Sequence, residues 1–382
     1  MADDKRTVGA LSGIVVADFG RILAAPYLTM LLADLGAEVI KVERASVGDD
    51  TRGWGPPFVA GQATYFQSVN RNKTSVALDL RSAEGQRYAR ELVRRADIVV
   101  ENFRPGTMAK FGLSYEQARG LNPGVIYCSL SAFGAGKGAE LPGYDLLIQA
   151  AGGLMSITGD GEPTKTGVAV VDVLAGLHAA VGVLAALRHR EVTGEGQLVE
   201  VNLLSSLLAG MVNQSTAYAL AGVVPTALGN RHPSIAPYEV FPTADRPLAV
   251  AVGSDGQFVT LCRAIGAEQL VDDPRFTDNT ARVAHVEVLA AELGAILTTK
   301  PAAEWETLLT PLGVPCGPVN DMAGAFALAD RLGLQPRIPS ETGLPPLVAN
   351  PITLSRNPVR YASAPPTLGS GTDRILAWLD EA

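Results

Sequence analysis

The chain has 382 residues, of which 47% are hydrophobic and 18% charged. That composition excludes a disordered protein, and the length exceeds one ordinary core, so two domains are expected. A formal net charge of -8 argues against general binding to nucleic acid or anionic membranes, while leaving room for a local basic pocket.

The opening residues, Met1-Ala2-Asp3-Asp4-Lys5-Arg6, carry charge and no apolar h-region, so no signal peptide is expected. Ile14 through Asp18 reads as a buried strand. Pro26 through Leu35 reads as a helix, with proline in its first turn and Gly36 as its stop. Val39 through Glu43 and Ser75 through Leu80 are the next strands. Residues 82–96 form a charged amphipathic helix, followed by strands at Ile98–Val100 and Val125–Cys128. Strands alternating with helices at this spacing predict a mostly parallel, doubly wound α/β sheet. Ligands of such sheets bind beyond the carboxyl ends of the strands.

Asp172 separates two apolar runs, Gly167 through Val171 and Val173 through Leu187. A carboxylate between such stretches is costly unless something satisfies it. The second run reads as a helix, which puts Asp172 at or near its N-cap, within reach of backbone N–H groups and the positive end of the helix dipole. This helix comes closest to the length of a membrane span. It contains His178 and two glycines and closes in Arg188-His189-Arg190, so a buried helix is the better reading, with His178 packed in the core.

The helix ends near Thr193-Gly194-Glu195-Gly196. A strand follows at Leu198–Val201 and one further helix at 203–222. The texture changes at Pro225, and from there to about 325 the chain reads as a smaller α+β domain. The Pro-rich tail from about 330 has few helix signals before Asp373–Leu379 and is expected to wrap over another surface. The expected organisation is a large domain over 1–224, completed by 330–382, and a small domain over 225–329.

Several motifs are missing. The turn after the first strand, Phe19-Gly20-Arg21-Ile22-Leu23-Ala24-Ala25-Pro26, lacks the glycine fingerprint of nicotinamide or flavin binding. Gly134-Ala135-Gly136-Lys137-Gly138 lacks the spacing of a phosphate loop and reads as a flexible loop. No GxSxG elbow occurs. His178, His189, His232 and His285 have no zinc-site spacing, so no metal is expected. Cys128, Cys262 and Cys316 lie far apart, as in a reducing cytosol.

Polar clusters at the ends of predicted strands are what remains: Glu43-Arg44, Asn70-Arg71-Asn72-Lys73, and Glu101-Asn102-Phe103-Arg104-Pro105-Gly106 with Lys110 beyond. Any one basic residue reads as a solvated charge. Their recurrence at successive strand ends points to a phosphorylated ligand on one rim.

These residues carry a family resemblance. Asp18-Phe19, Ala25-Pro26, Leu35 through Glu43, Asn70 through Lys73, Asp97 through Gly106, Pro142-Gly143-Tyr144-Asp145, Asp172 with its helix and Thr193 through Gln197 stand in an order that resembles the class III CoA-transferases. The resemblance implies an enzyme that moves coenzyme A between carboxylic acids, with Asp172 as the catalytic aspartate. It implies acyl-CoA contacts at Leu23, Ala24, Arg44, Val69, Asn70, Arg71, Asn72, Lys73, Asn102, Phe103, Arg104, Lys110, Tyr144 and Asp145. The implied fold is a Rossmann-like large domain with a small α+β domain, in a homodimer whose chains interlock like rings. The implied setting is the cytoplasm, with no metal, nicotinamide, flavin, nucleic acid or membrane as partner.

A carboxylate nucleophile splits one hard exchange into easier steps, and apolar flanks exclude water from an anhydride. Free aspartate is ionised at neutral pH, so the chemistry requires no large shift of Asp172; partial desolvation would raise its reactivity while the helix N-terminus keeps it charged. Backbone amides at Gly152-Gly153 or Leu228-Gly229-Asn230 are candidates to hold an oxyanion. The racemase branch of the same family is the main alternative. It carries His at the position of Tyr144, and tyrosine is a poor base near neutral pH. An inactive CoA-binding paralogue is a weaker one. Gly229-Asn230-Arg231-His232 resembles the dicarboxylate branch, where Arg231 and His232 would pair with a distal carboxylate. Read without that resemblance, the same stretch is a solvated turn.

Overall fold

Six short segments rich in Val and Ile form one parallel sheet in the computed structural model, which describes residues 9–381. They are β1 (Val15–Asp18), β2 (Glu38–Glu43), β5 (Lys73–Ala77), β6 (Ile98–Glu101), β7 (Ile126–Ser131) and β8 (Leu198–Asn202). A small hairpin of β3 (Phe58–Val59) and β4 (Gln62–Ala63) lies between β2 and β5 in sequence. The sheet order is β5-β2-β1-β6-β7-β8, and every neighbouring pair is parallel. The chain runs outward from β1 to one edge, then returns to β6 and runs to the other. The switch point therefore lies between β1 and β6.

Strand periodicity divides the core. Val16, Val39, Ile98 and Ile126 face one layer of helices, while their neighbours Ala17, Ile40, Val99 and Tyr127 face the other. Both faces are covered, which is why these strands read as nearly continuous apolar runs. The first layer contains the helix Ala24–Asp34 and the long helix Val170–Thr193. Leu32, in the first of them, is fully buried in this layer; truncating it to alanine would cost roughly 2–5 kcal/mol. Gly176, one turn beyond Asp172, makes their close approach possible. A Cβ there would stand 2.8 Å from the Ala24 carbonyl oxygen.

Several boundaries differ from expectation. The first helix begins at Ala24, two residues before Pro26, because the first helical amides need no intrahelical acceptor. The helix expected over 203–222 is two, Leu203–Gly210 and Val212–Ala221. Gly210 packs onto Leu174, and Val212 takes a φ of +38, which interrupts the ladder. The long helix is long and apolar enough to cross a membrane by length and composition, yet its buried face packs into the sheet core. His178 is exposed on its outer face rather than packed inside.

The tail belongs to the same compact unit as the sheet, from 335 onward. Asn72 Oδ1 accepts hydrogen bonds from the amides of Ala362 (2.7 Å) and Ser363 (3.1 Å). The helix Thr372–Asp380 puts Ile375 and Leu379 into the second core layer.

The second compact unit contains residues 155–164 and 225–334. Residues 155–164, expected in the large domain, fold with it, and the Gly229 amide donates to the Gly159 carbonyl at 2.9 Å. Its antiparallel sheet has the order β11-β10-β9, from β9 (Tyr238–Phe241), β10 (Leu248–Ala251) and β11 (Cys316–Pro318). Phe241, Phe258, Phe276, Leu293 and Trp305 fill its core.

Candidate active site

The segments that leave β1, β6 and β7 enclose a cavity of about 390 Å³ at the carboxyl ends of the strands. Leu23 and Ala24 form one wall, Asn102 and Arg104 another, and Asp172 reaches the cavity from the start of the long helix. The two walls are joined directly. Asn102 accepts from the Arg21 amide at 2.8 Å and donates to the Arg21 carbonyl at 2.7 Å. This clamp closes the switch point between β1 and β6, where doubly wound sheets bind ligands.

Asp172 is the third residue of its helix, with Ala169 as the N-cap, and not the cap itself. The capping is done by Asp145, whose Oδ1 accepts from the Val171 amide at 2.9 Å. Gln149 holds the other Asp145 oxygen at 2.6 Å. The Asp172 carboxylate has no hydrogen-bond partner among the described residues. Burial, and then the negative charge of Asp145, push its pKa up to about 7. The desolvation expected from the sequence is present, but the lost hydration and the second carboxylate outweigh the helix dipole that was expected to keep the group charged.

The basic run at 70–73 lines neither this cavity nor the one beside it. Arg71 makes a two-pronged ion pair with Asp34, at 2.9 and 2.6 Å. Lys73 is fully buried against Asp18 (3.2 Å) and the Pro26 carbonyl (2.9 Å). Asn70 accepts from Lys73 at 3.0 Å, Asn72 ties down the tail, and Val69 packs behind Leu23. These residues brace the first helix from within.

A second cavity of about 300 Å³ lies beyond β1, β2 and β5, with Arg44, Arg81 and Phe103 in its lining. Arg44 and Arg21 both bind Asp50. Arg21, which was not singled out from the sequence, lines both cavities with its guanidinium 5.8 Å from the Phe103 ring centre. Its place right after β1 was the available signal. Arg104 is exposed at the first cavity and its side chain has no protein partner among the described residues; Lys110 is exposed and lines neither cavity. Tyr144 is exposed and lines the first cavity.

Two other features were missed. Tyr65 has its pKa pushed up to about 12 by burial, then by Asp172 and Asp145, so it stands within the field of both carboxylates. Trp54 meets Tyr65 edge-on at 5.4 Å. The glycine stretch read as a flexible loop is a cavity wall. Gly134 and Gly138 both line it, and a Cβ on Gly138 would stand 2.5 Å from the Phe133 side chain.

The amides proposed for an oxyanion are already engaged at two positions. Gly152 donates to Ile148 at 2.8 Å and Gly229 to Gly159 at 2.9 Å. In the second unit, Arg231 pairs with Glu239 at 3.0 Å and with Glu287. His232 Nδ1 accepts from the Ser234 amide at 3.0 Å, and its ring lies 5.3 Å from that of Tyr238. Asn230 is exposed. Among the described residues, no group of three or more His, Cys, Asp or Glu side chains is placed to hold a metal.

Fold and cavity together define a doubly wound α/β enzyme with a carboxylate at its switch point. The chain belongs to CoA-transferase family III, whose sequence model matches residues 11–372. It is 43% identical to the succinate–glutarate CoA-transferase of Agrobacterium fabrum, over 100% of this chain and 98% of that one. It is 39% identical to the acetyl-CoA:oxalate CoA-transferase of Acetobacter aceti, over 91% of this chain and 90% of that one. The crystal structure of a CAIB/BAIF family protein from Brucella suis superposes with a TM-score of 0.87 at 40% identity, covering 98% of this chain and 100% of that one.

Proposed function

We propose that this CoA-transferase takes coenzyme A from succinyl-CoA, or another dicarboxylyl-CoA, and gives it to a second dicarboxylic acid, with Asp172 as nucleophile. The observation that carries the reading is Asp172 itself, unpartnered by hydrogen bonds and facing the cavity at the switch point. The dicarboxylates in the names of the two relatives support the substrate class.

In this reading an Asp172 oxygen attacks the thioester carbonyl of the donor. The C–S bond breaks, the thiolate leaves with the electron pair, and a mixed anhydride forms. The thiolate then attacks the Asp172 carbonyl carbon and releases the donor acid as its carboxylate. The acceptor carboxylate attacks the resulting aspartyl thioester, expels the thiolate and forms a second anhydride. The thiolate finally attacks the acceptor acyl carbon and frees Asp172. The two anhydride-forming steps need an ionised carboxylate as nucleophile, and every step needs a site without water. A pKa of about 7 leaves Asp172 basic and poorly hydrated, which makes it more nucleophilic than a surface aspartate.

The coenzyme would lie along the rim from the second cavity to the first, past Arg44, Phe103, Arg21 and Arg104. Cations and an aromatic face suit its phosphates and adenine. A homodimer is supported by apolar side chains exposed on the large unit, among them Val181 (69%), Val212 (66%), Tyr218 (62%) and Leu220 (85%). A cytoplasmic setting accords with three free cysteines.

The test is incubation with succinyl-CoA and a panel of mono- and dicarboxylates, with new CoA esters read by mass spectrometry and Asp172→Ala as control. New dicarboxylyl esters that vanish in the variant are expected. No new ester from any acid, together with deuterium wash-in at the acyl α-carbon, would move the chain to the racemase chemistry.

A further inference from the structure

The backbone between β1 and the first helix is held by backbone bonds at its two ends, from the Phe19 amide to Val100 (2.8 Å) and from the Tyr27 amide to Leu23 (2.7 Å), and by side chains in between. Lys41 Nζ donates to the Gly20 carbonyl at 2.8 Å. Asn102 brackets Arg21. The Asp49 carboxylate accepts from the Ile22 amide, at 3.3 and 3.2 Å. Ile22 has a φ of +68, in the left-handed region that a β-branched residue occupies only when its surroundings impose it.

Those surroundings centre on Asp49. The residue is 2% exposed. Its Oδ2 meets Lys41 Nζ at 2.9 Å, and both side chains are fully buried. Its Oδ1 accepts from the Thr51 amide at 3.0 Å and the Thr51 hydroxyl at 2.8 Å. Lys41 and Thr51 therefore fix the carboxylate before it meets Ile22. The residues that follow Ile22 are Leu23 and Ala24, the wall of the Asp172 cavity.

We infer that Asp49 is a positioning residue for the transfer reaction. It holds Ile22 left-handed and thereby fixes Leu23 and Ala24 opposite Asp172. The inference rests on the proposed role of Asp172 and deepens it. Asp49 also lines the second cavity, so direct contact with the coenzyme is the competing explanation, and the two predict different kinetics.

Asp49→Glu keeps the charge opposite Lys41 but shifts the oxygens by one methylene. Its kcat is compared in the unaltered chain and in an Ile22→Gly background, where positive φ is adopted freely. Alone, Asp49→Glu lowers kcat on the order of tenfold, as small misplacements do, with the KM for acyl-CoA within about twofold. In the Ile22→Gly background the same substitution costs less than about threefold, the coupling expected of two residues acting as one. Equal losses in both backgrounds, a loss confined to KM, or full kcat in Asp49→Glu overturns the inference. Asp49→Asn is run alongside, and since it strands Lys41 the comparison does not depend on its folding. Transfer by the unaltered chain, abolished in Asp172→Ala, is measured first. Its absence defeats the reading of Asp172, and the positioning role with it, whereas equal losses in an active enzyme defeat only the positioning role.

Discussion

Asp145 accepts a hydrogen bond from the backbone amide of Val171, immediately before Asp172. One carboxylate thus fixes the helix start that carries the other, and its charge raises the proton affinity of the residue it positions. Anchoring and tuning come from the same side chain.

The pH dependence of transfer follows. With Asp172 as nucleophile, kcat/KM rises with pH up to about 7 and levels above it, since this profile reports the free enzyme. Asp145→Asn keeps an acceptor for Val171 but removes the charge, so the acid limb moves to lower pH. It stays above the ordinary aspartate range because burial is the larger cause. An unmoved limb in Asp145→Asn would show that the carboxylates do not interact.

Stability carries the opposite sign. The folded pKa of Asp172, about 7, exceeds its ordinary 3.8, so its contribution is most favourable below the lower value and is lost as pH rises through the upper one. Above pH 7 the buried charge costs the fold on the order of 4 kcal/mol. Asp172→Asn is therefore expected to raise the melting temperature at pH 8 while changing it little near pH 4. Thermal unfolding of both proteins at the two pH values checks this, and a pH-independent difference would contradict it.

Arg71 stands in the run expected to hold coenzyme A, yet its side chain is 3% exposed and bound to a fully buried Asp34. Removing one partner of such a pair leaves an uncompensated charge and costs about 3–5 kcal/mol. Arg71→Met should thus lower the denaturation midpoint strongly and leave the KM for acyl-CoA of the folded fraction unchanged. A raised KM with normal stability would return Arg71 to the binding site.

Arg104 is the contrasting case, exposed at the rim of the cavity. Arg104→Ala should leave stability within about 0.5 kcal/mol and raise the KM for acyl-CoA roughly tenfold, an effect that shrinks as salt screens the charge. Titration of kcat/KM against ionic strength measures it, and a salt-independent KM would argue against a phosphate contact.

The layered fold was legible because short continuous apolar runs such as Ile14 through Ala17 and Ile98 through Val100 alternate with helical segments, and the structure sends Val16 and Ala17, or Val99 and Val100, to opposite layers. Asp172 was legible because a carboxylate interrupts an apolar helix. The roles of Asn70 through Lys73 were not, since a basic residue at a strand end looks the same whether it faces a ligand or a carboxylate on another helix. Asp34, the partner that decides the matter for Arg71, lies 37 positions away. Nor could sequence show that Asp145 caps the helix at Val171, a contact across 26 positions.

Asn72 is held by the amide of Ala362, 290 residues further along. At the ~5–20 residues per second of synthesis, the first strands wait roughly 15–60 s for the segment that seals their edge. Most of the second unit, over 225–334, is made within that interval and carries its own core. On a ribosome the middle of this polypeptide is thus free to mature before its beginning.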